Sequence, residues 1–322
     1  MKQKKNKILV TVASGMIGSH LVDKLVEDGN DVYGICRVKR WANPKVKYFC
    51  CDLKNATKTN EIIQKISPEY IYHLAANAAQ SKGQNSPINM SENNYNLFFN
   101  VITPAIKTGN LKRFVYSSTM AVYGSIDSPY HESDNPQPVD IYGIAKRAIE
   151  QSLQVLAKVH NFEYVITRLH NVTGTRQDMN DPYRNVVTIF MTHLMRNQQY
   201  KIFGNGEVTR QFSNVKDVTD VLSKCMRGDV PNTIFNVGSD KAISLKKLSD
   251  VVQEITGIYL EPKLEPLRSQ EIFNVVGDHT LCKNIFGYNE TDIKDYLREV
   301  WDYVKNIGPI PLNYEKFEIV KE

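Results

Sequence analysis

The stretch KILVTVASGMIG, residues 7–18, decides the fold of this 322-residue chain. Its apolar start, Lys7 to Thr11, leads through a glycine-containing turn into apolar residues spaced like one face of a helix: Ile17, Leu21 and Leu25. This order predicts a strand, a turn and a helix. The following segment DVYGIC, residues 31–36, alternates in polarity and predicts a second strand.

The same unit recurs along the first half of the chain. Strands are predicted at VKYFCCDL, YIYHLAA, RFVYSS and YVITRL, with helices near 58–66, 91–108 and 141–159. Because parallel strands need crossover helices between them, the alternation predicts an α/β fold of the Rossmann type, a doubly wound parallel sheet with helices on both faces. We expect this domain to span residues 1–171.

The pattern changes after residue 171, where a polar stretch and shorter elements follow. Helices are predicted at VVTIFMTHLMRN, at Val215 to Met226, at Leu245 to Ile255 with Ser244 as N-cap, and at Asp292 to Val304. We therefore expect residues 172–322 to form a smaller C-terminal α/β lobe, some of whose segments return to the large sheet. A cleft should lie between the two parts.

Composition and charge exclude several classes of protein. The net charge of +5 is too weak a field to indicate nucleic-acid binding, and no run of about 18 apolar residues points to a membrane span. The basic start MKQKKNK imitates a signal peptide, but polar residues and glycines interrupt the apolar run that follows, so we do not expect secretion. An odd number of cysteines without CxxC spacing predicts reduced thiols, no metal site and a cytoplasmic location; they are Cys36, Cys50, Cys51, Cys225 and Cys282.

The turn after the first strand has the context of a dinucleotide site. Gly15 and Gly18 would let the backbone approach a pyrophosphate, and the helix that starts there offers free N–H groups and the positive end of its dipole. The usual first glycine of such a turn is Val12 here, and a turn whose glycines serve only tight packing is the alternative. The cofactor contacts expected here are Thr11, Ser14, Gly15, Met16 and Ile17.

The end of the second strand indicates which nicotinamide cofactor is held. An acidic residue there would bind the adenosine ribose, but Cys36 is followed by a cationic loop with Arg37, Lys39 and Arg40. Cations at this place fit a 2'-phosphate, so NADP is favoured over NAD, and a solvated basic loop is the alternative. Further cofactor contacts are expected at the ends of the next strands, from Asp52, Leu53, Leu74, Ala75 and Ala76.

A tyrosine and a lysine supply an acid/base pair. Tyr142 and Lys146 lie at i and i+4, hence on one helix face, and an adjacent ammonium favours the phenolate. Thr119 ends a predicted parallel strand, and such strand ends converge on one crevice. A surface aromatic beside a solvated lysine is the alternative interpretation of the pair.

With these residues assembled, the chain resembles the extended short-chain dehydrogenase/reductase superfamily, in its nucleotide-sugar epimerase and dehydratase group. The resemblance covers about residues 7–310, and its motifs include TVASGMIG, HLAAN, YSSTMAVYG, YGIAK, RLHNVTGTRQD, GNGEVTRQF and LRSQE. It implies a catalytic set of Thr119, Tyr142 and Lys146, with Tyr142 and Lys146 also holding the cofactor. It further implies a lobe that binds the sugar's nucleotide diphosphate through Asn171, Arg210 and Arg268, with Thr119 at the sugar. The family's usual Asp after Arg210 is Gln211 here.

Absent residues narrow the chemistry. Relatives that eliminate water place Asp and Glu directly after the active Thr, and here those positions are Met120 and Ala121. A nucleotide-sugar 4-epimerase acting on a UDP-hexose remains the first hypothesis, since RQDMNDPY resembles the subgroup with UDP-linked sugars. The alternatives are an NADPH-dependent reductase of a 4-keto-6-deoxy nucleotide sugar and a non-catalytic NADP sensor or scaffold. The resemblance also implies a homodimer.

Overall fold

A seven-stranded parallel sheet forms the centre of the computed structural model, which describes residues 5–78, 86–181, 185–267 and 272–310. Its strand order is β10-β6-β5-β4-β1-β2-β3, and every neighbouring pair is parallel. The sheet confirms the predicted doubly wound α/β fold. The strands are β1 (Lys7–Thr11), β2 (Asp31–Cys36), β3 (Lys47–Cys50), β4 (Tyr70–His73), β5 (Arg113–Thr119), β6 (Glu163–Leu169) and β10 (Thr233–Val237).

Helices cover both faces of this sheet because its strands are apolar on both sides. In β1, Ile8 and Val10 are buried in one core while Leu9 is buried in the other. Helices α1 (Met16–Glu27) and α7 (Val215–Lys224) pack on the first face. The second face carries α2 (Ala56–Ile66), α4 (Leu97–Lys107), which follows the short α3 (Pro87–Ser91) and a π turn, and α5 (Ile141–His160).

The smaller lobe has its own sheets and core. Strand β9 (Thr209–Asn214) is the centre of a four-stranded mixed sheet that also contains β7 (Asn171–Thr173), β11 (Ala242–Ser244) and β13 (Asn274–Val275). Strands β8 (Lys201–Phe203) and β12 (Lys263–Glu265) form a separate parallel pair. A third apolar core lies among α6 (Val186–Met195), α8 (Leu245–Thr256) and α10 (Ile293–Ile307).

The chain crosses between the two parts more than once. Strand β10 pairs with β6 in the large sheet, and α9 (Thr280–Phe286) packs against β10. Near the amino end of β5, the buried Arg113 donates to the carbonyl oxygens of Cys225, Arg227 and Val230, and to the carboxylate of Glu163. The large sheet is thus completed by residues that follow 171.

Two further features concern the surface and the thiols. Among the residues that the structure describes, no helix combines the length and the apolar character needed to cross a lipid bilayer. All five cysteines are unpaired, and four of them are buried.

Candidate active site

The turn between β1 and α1 is tight. Val12 adopts a left-handed conformation with φ +53°, and its carbonyl oxygen accepts a hydrogen bond from the Gly15 amide at 2.9 Å. A Cβ atom at Gly18 would lie 2.2 Å from that same oxygen. Gly18 therefore lets the first turn of α1 rest directly on the turn, while the branched Val12 holds a conformation that costs an L-residue about 1–2 kcal/mol.

The hydroxyls of the turn bind other parts of the protein. The fully buried Thr11 accepts hydrogen bonds from the amides of Leu74 and Ala75, at 3.0 and 3.1 Å, through its side-chain oxygen. Ser14 donates to the carbonyl oxygen of Val38 at 2.5 Å. Thr11 thus joins the end of β4 to β1, and Ser14 fixes the loop that follows β2. Gly15, Met16 and Ile17 form the start of α1.

The two arginines of the basic loop differ. Arg37 follows the buried Cys36 and is exposed, as is Lys39. Arg40 forms an ion pair with Asp178, 2.6 Å between Nη1 and Oδ2, and so connects this loop to the segment after β7. Arg37 is therefore the better placed of the two predicted arginines to meet a phosphate.

The remaining predicted cofactor residues line the same edge of the sheet. Asp52 is exposed just after β3, and its carboxylate accepts the amide of Lys54 at 3.0 Å. Leu53 is buried in the core. Leu74, Ala75 and Ala76 follow β4, with Ala75 buried and its two neighbours half-buried.

The start of α5 packs against the end of β5. Asp140 caps the helix by accepting the Gly143 amide at 2.7 Å, and a Cβ atom at Gly143 would lie 2.6 Å from the carbonyl oxygen of Ala121. Thr119 is the last residue of β5, and its hydroxyl accepts the amide of Ala121 at 3.2 Å. This close packing places Tyr142 next to the end of β5.

Lys146 is buried one helical turn farther along α5. Its Nζ atom donates to the carbonyl oxygen of Ser117 at 2.6 Å and lies 4.5 Å from the ring centre of Tyr116 and 5.9 Å from that of Tyr142. Burial lowers the pKa of Lys146 to about 7, against the opposing charge of Glu150. The Lys146 ammonium therefore titrates near neutral pH and lies close to Tyr142, so it is suited to assist proton transfer there.

Two of the predicted substrate residues, Asn171 and Arg210, lie on the small sheet. Asn171 begins β7, where its side-chain amide donates to the carbonyl oxygen of Gln211 at 2.9 Å. Arg210, on β9, is half-buried and donates to the carbonyl oxygens of Thr209 and Phe273. Arg268 lies outside the described residues.

Gln211, at the position where the resemblance implies an Asp, is fully buried. Its side-chain amide accepts the N–H of Gly277 at 2.8 Å and donates to the same residue's carbonyl oxygen at 3.2 Å. A carboxylate accepts hydrogen bonds but cannot donate one, so it could not make both contacts. Gln211 therefore fixes the segment after β13 against β9.

Sequence reasoning missed the buried charges beside Lys146. Glu150 is fully buried and pairs with Arg168, a residue of β6 that is 1% exposed. The available signal was the i, i+4 spacing from Lys146 to Glu150, which puts both on one face of α5. Among the described residues, no group of three or more His, Cys, Asp or Glu side chains is arranged to hold a metal ion.

Most of the residues described above lie within a segment that matches a known protein family. The model of the NAD dependent epimerase/dehydratase family matches residues 8–238, which contain the β1–α1 turn and the Tyr142–Lys146 helix. The chain belongs to this family. The resemblance drawn from the sequence is thereby confirmed.

Relatives match this epimerase/dehydratase family member over nearly its whole length. A putative UDP-glucose 4-epimerase of Methanocaldococcus jannaschii is 30% identical over 304 residues, 93% of this chain and 98% of the relative. The crystal structure of UDP-glucose 4-epimerase from Thermotoga maritima, with UDP-glucose, is 30% identical with a TM-score of 0.88, covering 93% of this chain and 99% of that one. A UDP-N-acetylglucosamine 4-epimerase from Methanobrevibacter ruminantium, in complex with UDP-N-acetylmuramic acid, is 26% identical with a TM-score of 0.85, covering 95% and 100%.

Proposed function

We propose that this chain is a nucleotide-sugar 4-epimerase acting on a UDP-hexose, with transient oxidation of the sugar at C4. The observation that carries the proposal is the packing of Tyr142 and Lys146 against the end of β5, where Met120 and Ala121 stand in place of carboxylates. Proton abstraction from a hydroxyl is served by this pair, whereas elimination of water is not. The UDP-glucose 4-epimerases among the relatives support the same reaction.

The residues of the site divide the reaction among them. Tyr142 takes the proton from the C4 hydroxyl. It returns the proton after the 4-keto sugar has rotated to present its opposite face to the cofactor. Lys146 stabilises the phenolate of Tyr142, and Thr119 hydrogen-bonds the same sugar oxygen. A bound nicotinamide dinucleotide supplies the acceptor and donor of hydride.

Substrate orientation comes from the part of the molecule that does not react. Asn171 and Arg210, on neighbouring strands β7 and β9, offer an amide and a guanidinium to the diphosphate. We assign Arg268 to the same role from the family resemblance. Binding the nucleotide there holds the sugar at Tyr142, because interactions remote from the reacting carbon orient the substrate.

The residues of the β1–α1 turn fit a dinucleotide, and we expect that dinucleotide to be NADP. The start of α1, which no side chain caps, suits the pyrophosphate, and Gly18 lets this helix lie directly on the β1–α1 turn. Arg37 is exposed, and β2 ends in Cys36 where an acidic residue would bind the ribose of NAD, so these residues support a 2'-phosphate contact. The family description names NAD. Competitive titration of the protein with NADP and NAD decides between them.

A second candidate is an NADPH-dependent reductase of a 4-keto-6-deoxy nucleotide sugar. The exposed cation at Arg37 favours it, because net reduction consumes NADPH whereas an epimerase recycles its cofactor. The deciding experiment incubates the purified protein with UDP-hexoses, UDP-N-acetylhexosamines and a 4-keto-6-deoxy nucleotide sugar, with and without NADPH.

We expect the C4 epimer to form from a UDP-hexose without stoichiometric loss of NADPH absorbance. Consumption of one NADPH per 4-keto sugar would establish the reductase instead. Cofactor binding without turnover of any substrate would favour a sensor or scaffold.

We also expect a homodimer in the cytoplasm. The outer face of α5 supports self-association, since Val155 and Val159 are 62% and 68% exposed there. Light scattering of the unmodified protein beside a Val155→Glu, Val159→Glu double variant tests this. A dimeric mass for both proteins would show that the outer face of α5 does not form the dimer interface. The unpaired cysteines are consistent with a reducing compartment.

A further inference from the structure

A buried group of charged side chains lies directly beside the proposed catalytic pair. We call it the Glu150 cluster, and it consists of Glu150, Arg168, Arg147 and Ser118. Ser118 Oγ donates to Glu150 Oε1 at 2.6 Å, Arg168 donates through Nε at 3.0 Å and Nη2 at 2.8 Å, and Arg147 donates through Nη1 at 3.0 Å. One carboxylate thus accepts four hydrogen bonds from three elements.

Two of the three elements, α5 and β5, carry the reacting groups, and the third, β6, pairs with β5. Glu150 follows Lys146 by one turn of α5. Ser118 lies in β5, between Thr119 and Ser117, whose carbonyl oxygen accepts the hydrogen bond from Lys146. Arg168, on β6, pairs in register with Ser118. The carboxylate therefore connects the helix that carries Tyr142 and Lys146 to the two strand ends that face them.

Stability gives little reason to bury these charges. Glu150 and Arg168 have side chains 0% and 1% exposed, so both lose their hydration, and a buried ion pair often stabilises no more than apolar residues of the same volume. The two-point contact between a planar guanidinium and a carboxylate does fix orientation. The cluster is accordingly better suited to setting geometry than to adding stability.

The cluster also faces Lys146 electrostatically. Around Lys146 stand the rings of Tyr116 on β5 and Tyr142 on α5, and the buried His73 on β4. Glu150 is the acidic group whose charge opposes the effect of burial on the Lys146 pKa.

Two cations pair with Glu150 in turn. Arg147 lies on the same helix as Glu150. Arg168 lies over the ring of Tyr123, 4.6 Å from its centre, and its charge also acts on the half-buried carboxyl of Glu132. Both arginines pair with Glu150, and so they offset part of the negative charge that opposes the effect of burial on Lys146.

We propose that Glu150 is a positioning residue for the reaction, which joins α5 to the ends of β5 and β6 and supplies the negative charge that faces Lys146. This inference rests on the roles proposed above for Tyr142 and Lys146. It assigns no contact with substrate to Glu150.

The test is the pH dependence of kcat. Glu150→Gln keeps the shape but removes the charge, so Lys146 should lose its proton more readily, and the alkaline limb of the kcat profile should move to lower pH by about one unit. Arg147→Gln removes a cation from a side chain that is 23% exposed and leaves the Glu150–Arg168 pair intact, so the same limb should move to higher pH.

Controls separate the possible failures. Glu163→Gln breaks an ion pair to the buried Arg113 at the opposite, amino ends of β5 and β6. Both limbs of its kcat profile should stay in place. Turnover by Tyr142→Phe at the rate of the unmodified protein would contradict the proposed function itself.

Unshifted limbs in Glu150→Gln, with Tyr142→Phe inactive, would overturn only the role of Glu150. If Glu150→Gln does not fold, the profile of Arg147→Gln decides: an upward shift supports the inference and an unchanged limb contradicts it.

Discussion

Two helix starts belong to the candidate site, one on each face of the large sheet, and they are built in opposite ways. At the start of α1, Gly15 is the N-cap and makes no side-chain hydrogen bond to the helix, whereas at the start of α5 the Asp140 carboxylate accepts the Gly143 amide at 2.7 Å. An uncapped start leaves amides for an anion, and a capped start satisfies its own. The α1 start is thus suited to binding a ligand, and the α5 start to holding side chains still.

Among the variants considered, we expect the largest loss of activity from a substitution at Tyr142, on the capped helix α5. Tyr142→Phe removes one hydroxyl and little volume, so turnover should fall by about 10² to 10⁴-fold while cofactor binding stays unchanged. Initial rates with saturating UDP-hexose, beside a cofactor titration, measure both. Turnover equal to that of the unmodified protein would remove Tyr142 from the chemistry.

A methyl group at Gly143 tests whether α5 must lie so close to β5. Its Cβ atom would meet the Ala121 carbonyl oxygen at 2.6 Å, and such overpacking costs about 1–3 kcal/mol. We expect Gly143→Ala to lower kcat and leave the cofactor Kd unchanged. Gly228→Ala is the matched control, because its Cβ atom meets nothing within 4 Å. Equal kcat values in both variants would mean that this contact does not set the site.

The cofactor half of the comparison is tested at the basic loop. Arg37→Ala should weaken NADP binding by about 1–3 kcal/mol, the range for a lost charge-assisted hydrogen bond, and leave NAD binding unchanged. Arg40→Ala should have a smaller effect, because Arg40 is paired with Asp178. Calorimetric titration of both variants with both dinucleotides distinguishes them. Equal weakening of NADP and NAD by Arg37→Ala would refute a 2'-phosphate contact.

His73 lies between the two regions and should make the protein sensitive to acid. Burial lowers its pKa to about 3, so below pH 6.5 the unfolded chain binds a proton that the folded chain does not. The contribution to stability is complete above pH 6.5 and is lost toward pH 3, by at most about 1.4 kcal/mol per pH unit.

His73→Phe keeps a ring among Phe98, Phe114 and Tyr116 and removes the titration. The free energy of unfolding in urea should therefore fall less steeply from pH 6.5 to 5 in the variant. Parallel curves for the two proteins would show that another group causes the acid sensitivity.

The smallest effect is expected at Val12. Val12→Gly relieves the left-handed conformation at φ +53° and clears a branched side chain from the pyrophosphate turn, so cofactor binding should tighten by up to about 1 kcal/mol. Cofactor titration measures the change. An unchanged or weaker affinity would show that the side chain of Val12 does not restrict the site.

Local patterns predicted the elements well and long-range pairings poorly. The apolar spacing from Ile17 to Leu25 and the cap at Ser244 depend on neighbours within one helix, and both helices form as predicted. The ion pair between Arg40 and Asp178 joins residues far apart in sequence, and nothing local to either residue indicates its partner. The sequence shows that Lys146 and Glu150 are four residues apart on one helix, but it does not show that Glu150 is buried against Arg168.

The return of β10 to the large sheet has a consequence for synthesis on the ribosome. The guanidinium of Arg113 finds its carbonyl partners only at Cys225, Arg227 and Val230, and β6 gains its outer neighbour only when Thr233–Val237 has emerged. At about 5–20 residues per second, the first 171 residues are exposed for several seconds with an open strand edge. The nascent chain is therefore most vulnerable to aggregation during translation of the segment that separates β6 from β10.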